Sequence, residues 1–374
     1  MSAEPVRLTA GVTEVAEYVL DPALEPRHGP RPYLHPVRTL GGTVVTDALP
    51  ADHVWHLGAS LAVQDVDGSN LWGGRTYVRD AGYTWRDDHG VIAHTGEVER
   101  SPGRYAHDLQ WRDRAGGVLL TERRWLAASV VGADAWRLDV ESVLVAPDDR
   151  AVRLGSPATN GRPGGAGYGG FFWRAAADGE PAVFTADAAG EETVNGSAAP
   201  WLALTGVRSG GGAYTLVFAG LGRNDRWFVR TGMYPGVCVA FAFDRPAVVP
   251  AVGAGTAGTG CGWPTGRSTG TGSRLWSRRC GDRAGRPRSA GAVGQLADGQ
   301  LVGGLGVVRP VSLDRRGHGV RRADGQAAGV TQSSVDVDAG RWAVRAGRED
   351  RPADRVGVAP QVAPPPVDPP AQLA

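Results

Sequence analysis

Apolar and polar positions alternate with a period of two through much of residues 6 to 245, as half-buried β-strands require. The clearest case is AWRLDVESVLV, where Trp136, Leu138 and Val140 share one face and Arg137, Asp139 and Glu141 share the other. Similar short runs recur as TVVTD, GVLLTERRWL, PWLALTGV, AYTLVFAG and CVAFAFD. They are separated by turn formers such as VDGSN, RDRAGG, APDD and RSGGG, at roughly the 8 to 12 residue spacing of antiparallel sandwiches and barrels. No segment before residue 250 keeps a helical period for three turns. The pattern predicts an all-β fold, a large antiparallel β-sandwich of two packed sheets over residues 1–250.

After Pro250 the pattern stops. The last tyrosine is Tyr234 and the last phenylalanine Phe243, and the final 124 residues hold 23 glycines and one histidine. Such a segment buries too little apolar surface to offset its ordering entropy, so residues 251–374 read as a disordered Gly/Arg/Pro-rich tail. A second explanation is a slipped reading frame. Written in GC-rich codons and read one base out of register, residues 260–277 give a strand end, a turn and an amphipathic helix. Sequencing the DNA between the codons for Val248 and Gly260 separates the two explanations.

Charge and composition narrow the function. The net charge is +1, from 40 basic and 39 acidic residues, which supplies no field for a polyanion or an anionic membrane. All the basic residues are arginine. Schiff-base catalysis and a phosphate-binding P-loop, which need a lysine amine, are therefore excluded. Cys238, Cys261 and Cys280 show no CxxC spacing, so neither a disulfide framework nor a thiolate zinc site is expected. The N-terminus lacks the basic start and apolar core of a signal peptide, and no apolar run is long enough to span a bilayer. A soluble, cytoplasmic protein is expected.

Histidine is the informative residue. Seven of eight histidines fall in the first 107 residues. His53 and His56 form an HxxH beside Asp52, with His35 one strand earlier. This set can act as general acid and base near neutral pH, or can offer two imidazoles and a carboxylate to a divalent metal. His35, His53, His56, His94 and the strand-borne carboxylate of Glu122 are the catalytic candidates; Asp52, His53 and His56 are the metal candidates. His28, His89 and His107 are read as lying in polar loops and are expected to be solvated. Tyr168 and Arg174 flank the end of the glycine-rich GRPGGAGYGG loop and its FFWR strand, and with Trp72 and Arg75 of NLWGGRTY they are the substrate-binding candidates. An aromatic face and a guanidinium together suit a sugar. Phe171 and Phe172 are expected in the core. No organic cofactor is expected.

The blocks RPYLHP, DHVWHLG, NLWGGRTY, DHGVIAH, LLTERRW, AGYGGFFWR, NGSAAPWLAL and RWFVRTGMYPGVCVAFAFD, in this order over about residues 20 to 250, resemble a soluble bacterial family labelled methane oxygenase PmoA-like. The resemblance implies a galactose-mutarotase-like supersandwich and carbohydrate work, with a functionally linked sugar dehydrogenase as a partner and a small-molecule sugar as substrate. Methane oxidation itself is excluded, because the subunit that lends the label is an integral membrane protein. The reading that follows is a mutarotase- or epimerase-like proton transfer on a sugar or oxidised sugar. A non-catalytic carbohydrate-binding protein and a metal-dependent enzyme are the alternatives.

Overall fold

In a computed structural model, residues 4–147 and 149–251 are described, together with the strands 301–305, 334–338 and 341–345. Among the described residues almost all regular structure is antiparallel β, as the alternation predicts, and the one α-helix is a single turn, Glu191–Val194. No helix among the described residues is long and apolar enough to cross a membrane. The tail contributes one edge strand, Leu301–Leu305, and a hairpin of Ser334–Asp338 with Arg341–Arg345. The rest of the expected disordered tail, the frame-slip segment, Cys261 and Cys280 lie outside the described residues. Two compact units divide the chain, Met1–Val320 and Arg321–Ala374.

The first unit is built on two large sheets. A seven-stranded sheet runs in the order Val6–Ala10, Thr13–Val19, Tyr33–Val37, Ala59–Ala62, Gly170–Arg174, Gly236–Ala240 and Arg226–Arg230. A five-stranded sheet runs Leu301–Leu305, Trp136–Val145, Val118–Val130, Arg104–Arg112 and Val91–Ser101. Their facing sides share one core: Leu8, Tyr18, Leu61 and Trp173 from the first meet Leu109, Trp111, Leu126 and Trp136 from the second. In the strand Trp136–Val145 the alternate residues predicted to face inward are the buried ones.

The seven-stranded sheet is covered on its other face too, and this positions the site. Gly170–Arg174 is buried at all five positions, as a strand covered on both faces must be. Phe171 and Trp173 enter the inter-sheet core, while Phe172 points the other way, into a second cluster with Trp72, Phe228, Cys238 and Phe243. Register explains the cluster. Tyr33 pairs with Ser60, Ser60 with Phe172, Phe172 with Cys238 and Cys238 with Phe228, so these five side chains lie in one row across the outer face.

Candidate functional site

Two segments, 47–58 and 68–90, the second carrying the hairpin of Thr76–Val78 and Gly82–Thr84, supply Trp55 and Trp72 to the cluster on that row. The first is tied to the sheet by backbone bonds from Arg174 N to Gly58 O (2.8 Å) and from Asp47 N to Arg174 O (3.0 Å). Gly58 has φ +48°, and a Cβ there would stand 2.1 Å from Leu34 O, so only glycine fits the close approach. Successive turns, His53 N to Pro50 O and His56 N to His53 O, wind the segment so that the two imidazoles of the HxxH stack at 4.9 Å. In the second segment Asn70 Oδ1 accepts from the Trp72 and Gly73 amides, and Gly74 at φ +71° lets the Trp55 ring lie against the backbone. Asn70 is thus a turn organiser.

Arg31 fastens both segments to the sheet. Fully buried, it donates to Ser60 Oγ (3.0 Å), Gly29 O (2.8 Å), Trp72 O (2.9 Å) and Trp55 O (2.9 Å).

The two histidines differ sharply. His56 is buried, and its Nδ1 lies 3.2 Å from Arg174 Nη1. A guanidinium can only donate, so Nδ1 accepts and the ring proton sits on Nε2. Burial, then the Arg174 charge, holds His56 well below the ordinary histidine range. His53 is 31% exposed, and its Nδ1 lies 2.9 Å from Asp52 Oδ2. The carboxylate accepts the Nδ1 proton and leaves the Nε2 lone pair for a substrate. The bond to His53 holds the Asp52 carboxyl below its usual range.

Tyr234, which the sequence reading missed, closes the group. Its ring lies 4.8 Å from His56 and 5.9 Å from His53, with the Arg174 guanidinium 4.7 Å from its centroid. Burial raises its phenol pKa, so the hydroxyl stays protonated. Asp47, also missed, places Oδ2 3.5 Å from Arg174 Nε. Trp55 continues the wall 5.2 Å from His53, and Trp85, 49% exposed, stands 6.2 Å beyond it. No local signal marks Tyr234 or Asp47: both are brought in by register and turns.

The other candidates are distributed differently. Arg174 is at the centre. Trp72 is buried beneath His56, and Tyr168 packs on it at 4.7 Å with its hydroxyl engaged by Gln64 and Tyr83, so both form floor. Arg75 is exposed, over Trp85. His35 is half-buried and bonded to Thr46 Oγ1 (3.0 Å), behind Asp47. His94 and Glu122 are elsewhere, on the five-stranded sheet. Glu122 accepts from Trp111, Arg124 and Ser142, and His94 bonds His107. His89 and His107 are buried, not solvated, because Gly74 O and Tyr18 supply them with partners, and His107 lies on the strand Arg104–Arg112 rather than in a loop.

Asp52, His53 and His56 do not fit a metal. His56 Nδ1 is taken by Arg174, whose charge repels a cation, and among the described residues no three His, Cys, Asp or Glu side chains are grouped to hold one. A separate polar cleft of about 360 Å³ is lined in part by Gln64, Asp65, Arg79, Arg86 and Asp88. Its carboxylates are already committed, Asp65 to Arg153 and Asn160, and Asp88 to Thr76 and Arg86.

A family model described as a family of unknown function, DUF6807, matches residues 5–256. The chain belongs to this family. The match corrects the resemblance to a methane oxygenase PmoA-like family: the matching family carries no such description and no assigned activity. No curated protein and no solved structure matches the chain. The sheet row and the residues of the histidine site lie inside the matched region.

Proposed function

We propose that the outer face of the seven-stranded sheet binds a sugar or oxidised sugar and catalyses proton transfer on it, as in anomer interconversion. The observation that carries this reading is the Asp52–His53 pair, a partly exposed imidazole with its Nδ1 proton held by a carboxylate and its Nε2 free. In ring opening, His53 Nε2 takes the proton of the anomeric hydroxyl and C1=O forms. The C1–O5 bond breaks with its electron pair going to O5, and the Tyr234 hydroxyl gives O5 a proton. Ring closure reverses each transfer, and the tyrosinate formed in between lies beside the Arg174 cation. Trp55 and Trp85 offer rings on which the apolar face of a pyranose can stack. Glu122 has no part in this scheme, being consumed by its own hydrogen bonds.

The test follows anomer exchange of D-galactose and D-galacturonate by NMR with the full chain, His53→Ala and Tyr234→Phe. Acceleration over buffer, reduced at least about a hundredfold in His53→Ala, supports the reading. Sugar binding without acceleration in the wild-type chain would make this a carbohydrate-binding protein, with His53 dispensable.

A further inference from the structure

Two guanidiniums lie at the site, and among the described residues one carboxylate, Asp47, pairs with one of them, Arg174. Arg31 is 0% exposed, and all four of its hydrogen-bond acceptors are neutral: three backbone carbonyls and the Ser60 hydroxyl. Among the described residues no carboxylate forms an ion pair with it. Burial, with Arg124 adding to it, pushes its pKa down to about 9, so it remains a cation at neutral pH. Arg174 is 8% exposed; its buried Nε has no hydrogen-bond acceptor, and the nearest carboxylate, Asp47 at 3.5 Å, is itself 42% exposed. Asp52 is committed to His53 and largely in water. The neutral His56 between them contributes no negative charge.

A buried cation left without an anion costs several kcal/mol. The fold bears that cost in full at Arg31 and in part at Arg174, whose only ion-pair partner among the described residues is the half-exposed Asp47; Arg31 also contributes to the depressed pKa of His56, so its field reaches the site. An anion arriving above Arg174 would relieve both charges. The Arg174 guanidinium is a planar fork of donors, of which one Nη1–H is taken by His56, and such a fork suits a carboxylate better than a point contact would. We infer that the ligand of this site is a carboxylate-bearing sugar, a uronate, with its carboxylate on Arg174 and its ring towards Trp55. The inference rests on the sugar reading above and names the substrate class of that site.

Calorimetric titration of the full chain with D-galacturonate, D-galactose and acetate tests it, read in parallel by tryptophan fluorescence. Galacturonate is expected to bind roughly tenfold or more tightly than galactose at low salt. That ratio should shrink as salt is raised to about 0.5 M, and approach one in Arg174→Gln. Asp47→Asn, which removes the competing carboxylate and leaves the sheet intact, should tighten galacturonate binding and keeps the test informative if Arg174→Gln fails to fold. Equal affinity for galactose and galacturonate would overturn the anionic inference and leave the sugar reading standing. Acetate bound through Arg174 as tightly as galacturonate would keep the anion site and remove the sugar. Binding of neither galacturonate nor acetate overturns the inference.

Discussion

His53 and His56 stand three residues apart and have opposite chemistry, because one meets a carboxylate and the other a guanidinium. The same environment that keeps His56 neutral has a consequence for stability. Burial, then Arg124 and His94, pushes His107 down to about 2, and burial with Arg174 depresses His56. In the unfolded chain both would titrate near 6.5. Below that pH the unfolded state binds protons that the folded state refuses, so stability is full above 6.5 and falls as pH drops towards the folded values. Between about pH 7.5 and 5 each of the two is expected to cost up to about 2 kcal/mol. Urea unfolding at the two pH values measures the loss; unchanged stability would mean that these rings accept protons without unfolding.

At the scale of the strand, Glu122 shows how far a sequence reaches. The alternation in LLTERRW correctly puts Glu122 on a strand, yet it does not say that the face is the inward one. Register places His107, Arg124 and Ser142 side by side across three strands, and Glu122 accepts from Arg124, Ser142 and Trp111. A further bond runs from Arg124 to the Tyr18 hydroxyl. Giving every proton an acceptor then requires Tyr18 to donate to His107 Nε2 and His107 Nδ1 to His94. Removing Glu122 leaves Arg124 buried and unpaired, so Glu122→Ala should lose about 3–5 kcal/mol of stability. Ligand affinity per folded molecule should not change. A melting curve paired with galacturonate titration checks both, and a lost affinity with unchanged melting would restore a site role for Glu122. Strand identity was legible because alternation is local: Trp136, Leu138 and Val140 needed only their neighbours. The histidine pair was legible in part, since HxxH is local too. Its partners Arg174 and Tyr234 lie 118 and 178 positions from His56, and only the register of the sheet brings them together. Trp72 lies buried beside His56 while Trp55 and Trp85 stand further out, and hydropathy alone does not tell the floor of a site from its wall.

For the molecule as a whole, the members of both buried clusters among the described residues run from Val6 to Val249. The edge of the five-stranded sheet is another matter. Trp136–Val145 pairs on one side with Val118–Val130 and on the other with Leu301–Leu305, at five register positions from Val140 to Leu144. A chain ending at Ala251 would leave that side of the strand with unpaired N–H and C=O groups, a template for pairing with another copy. Such a chain is expected to melt cooperatively and to keep its histidine site, while self-associating as its concentration rises. Sedimentation at several concentrations, compared with the full chain, measures this directly. A truncated chain that stays monomeric would mean that the edge needs no cover, and the outward charges of Arg137, Asp139 and Glu141 would then be its sufficient protection. Self-association that vanishes when the chain is extended in the alternative reading frame would instead identify the covering strand with the product of that frame.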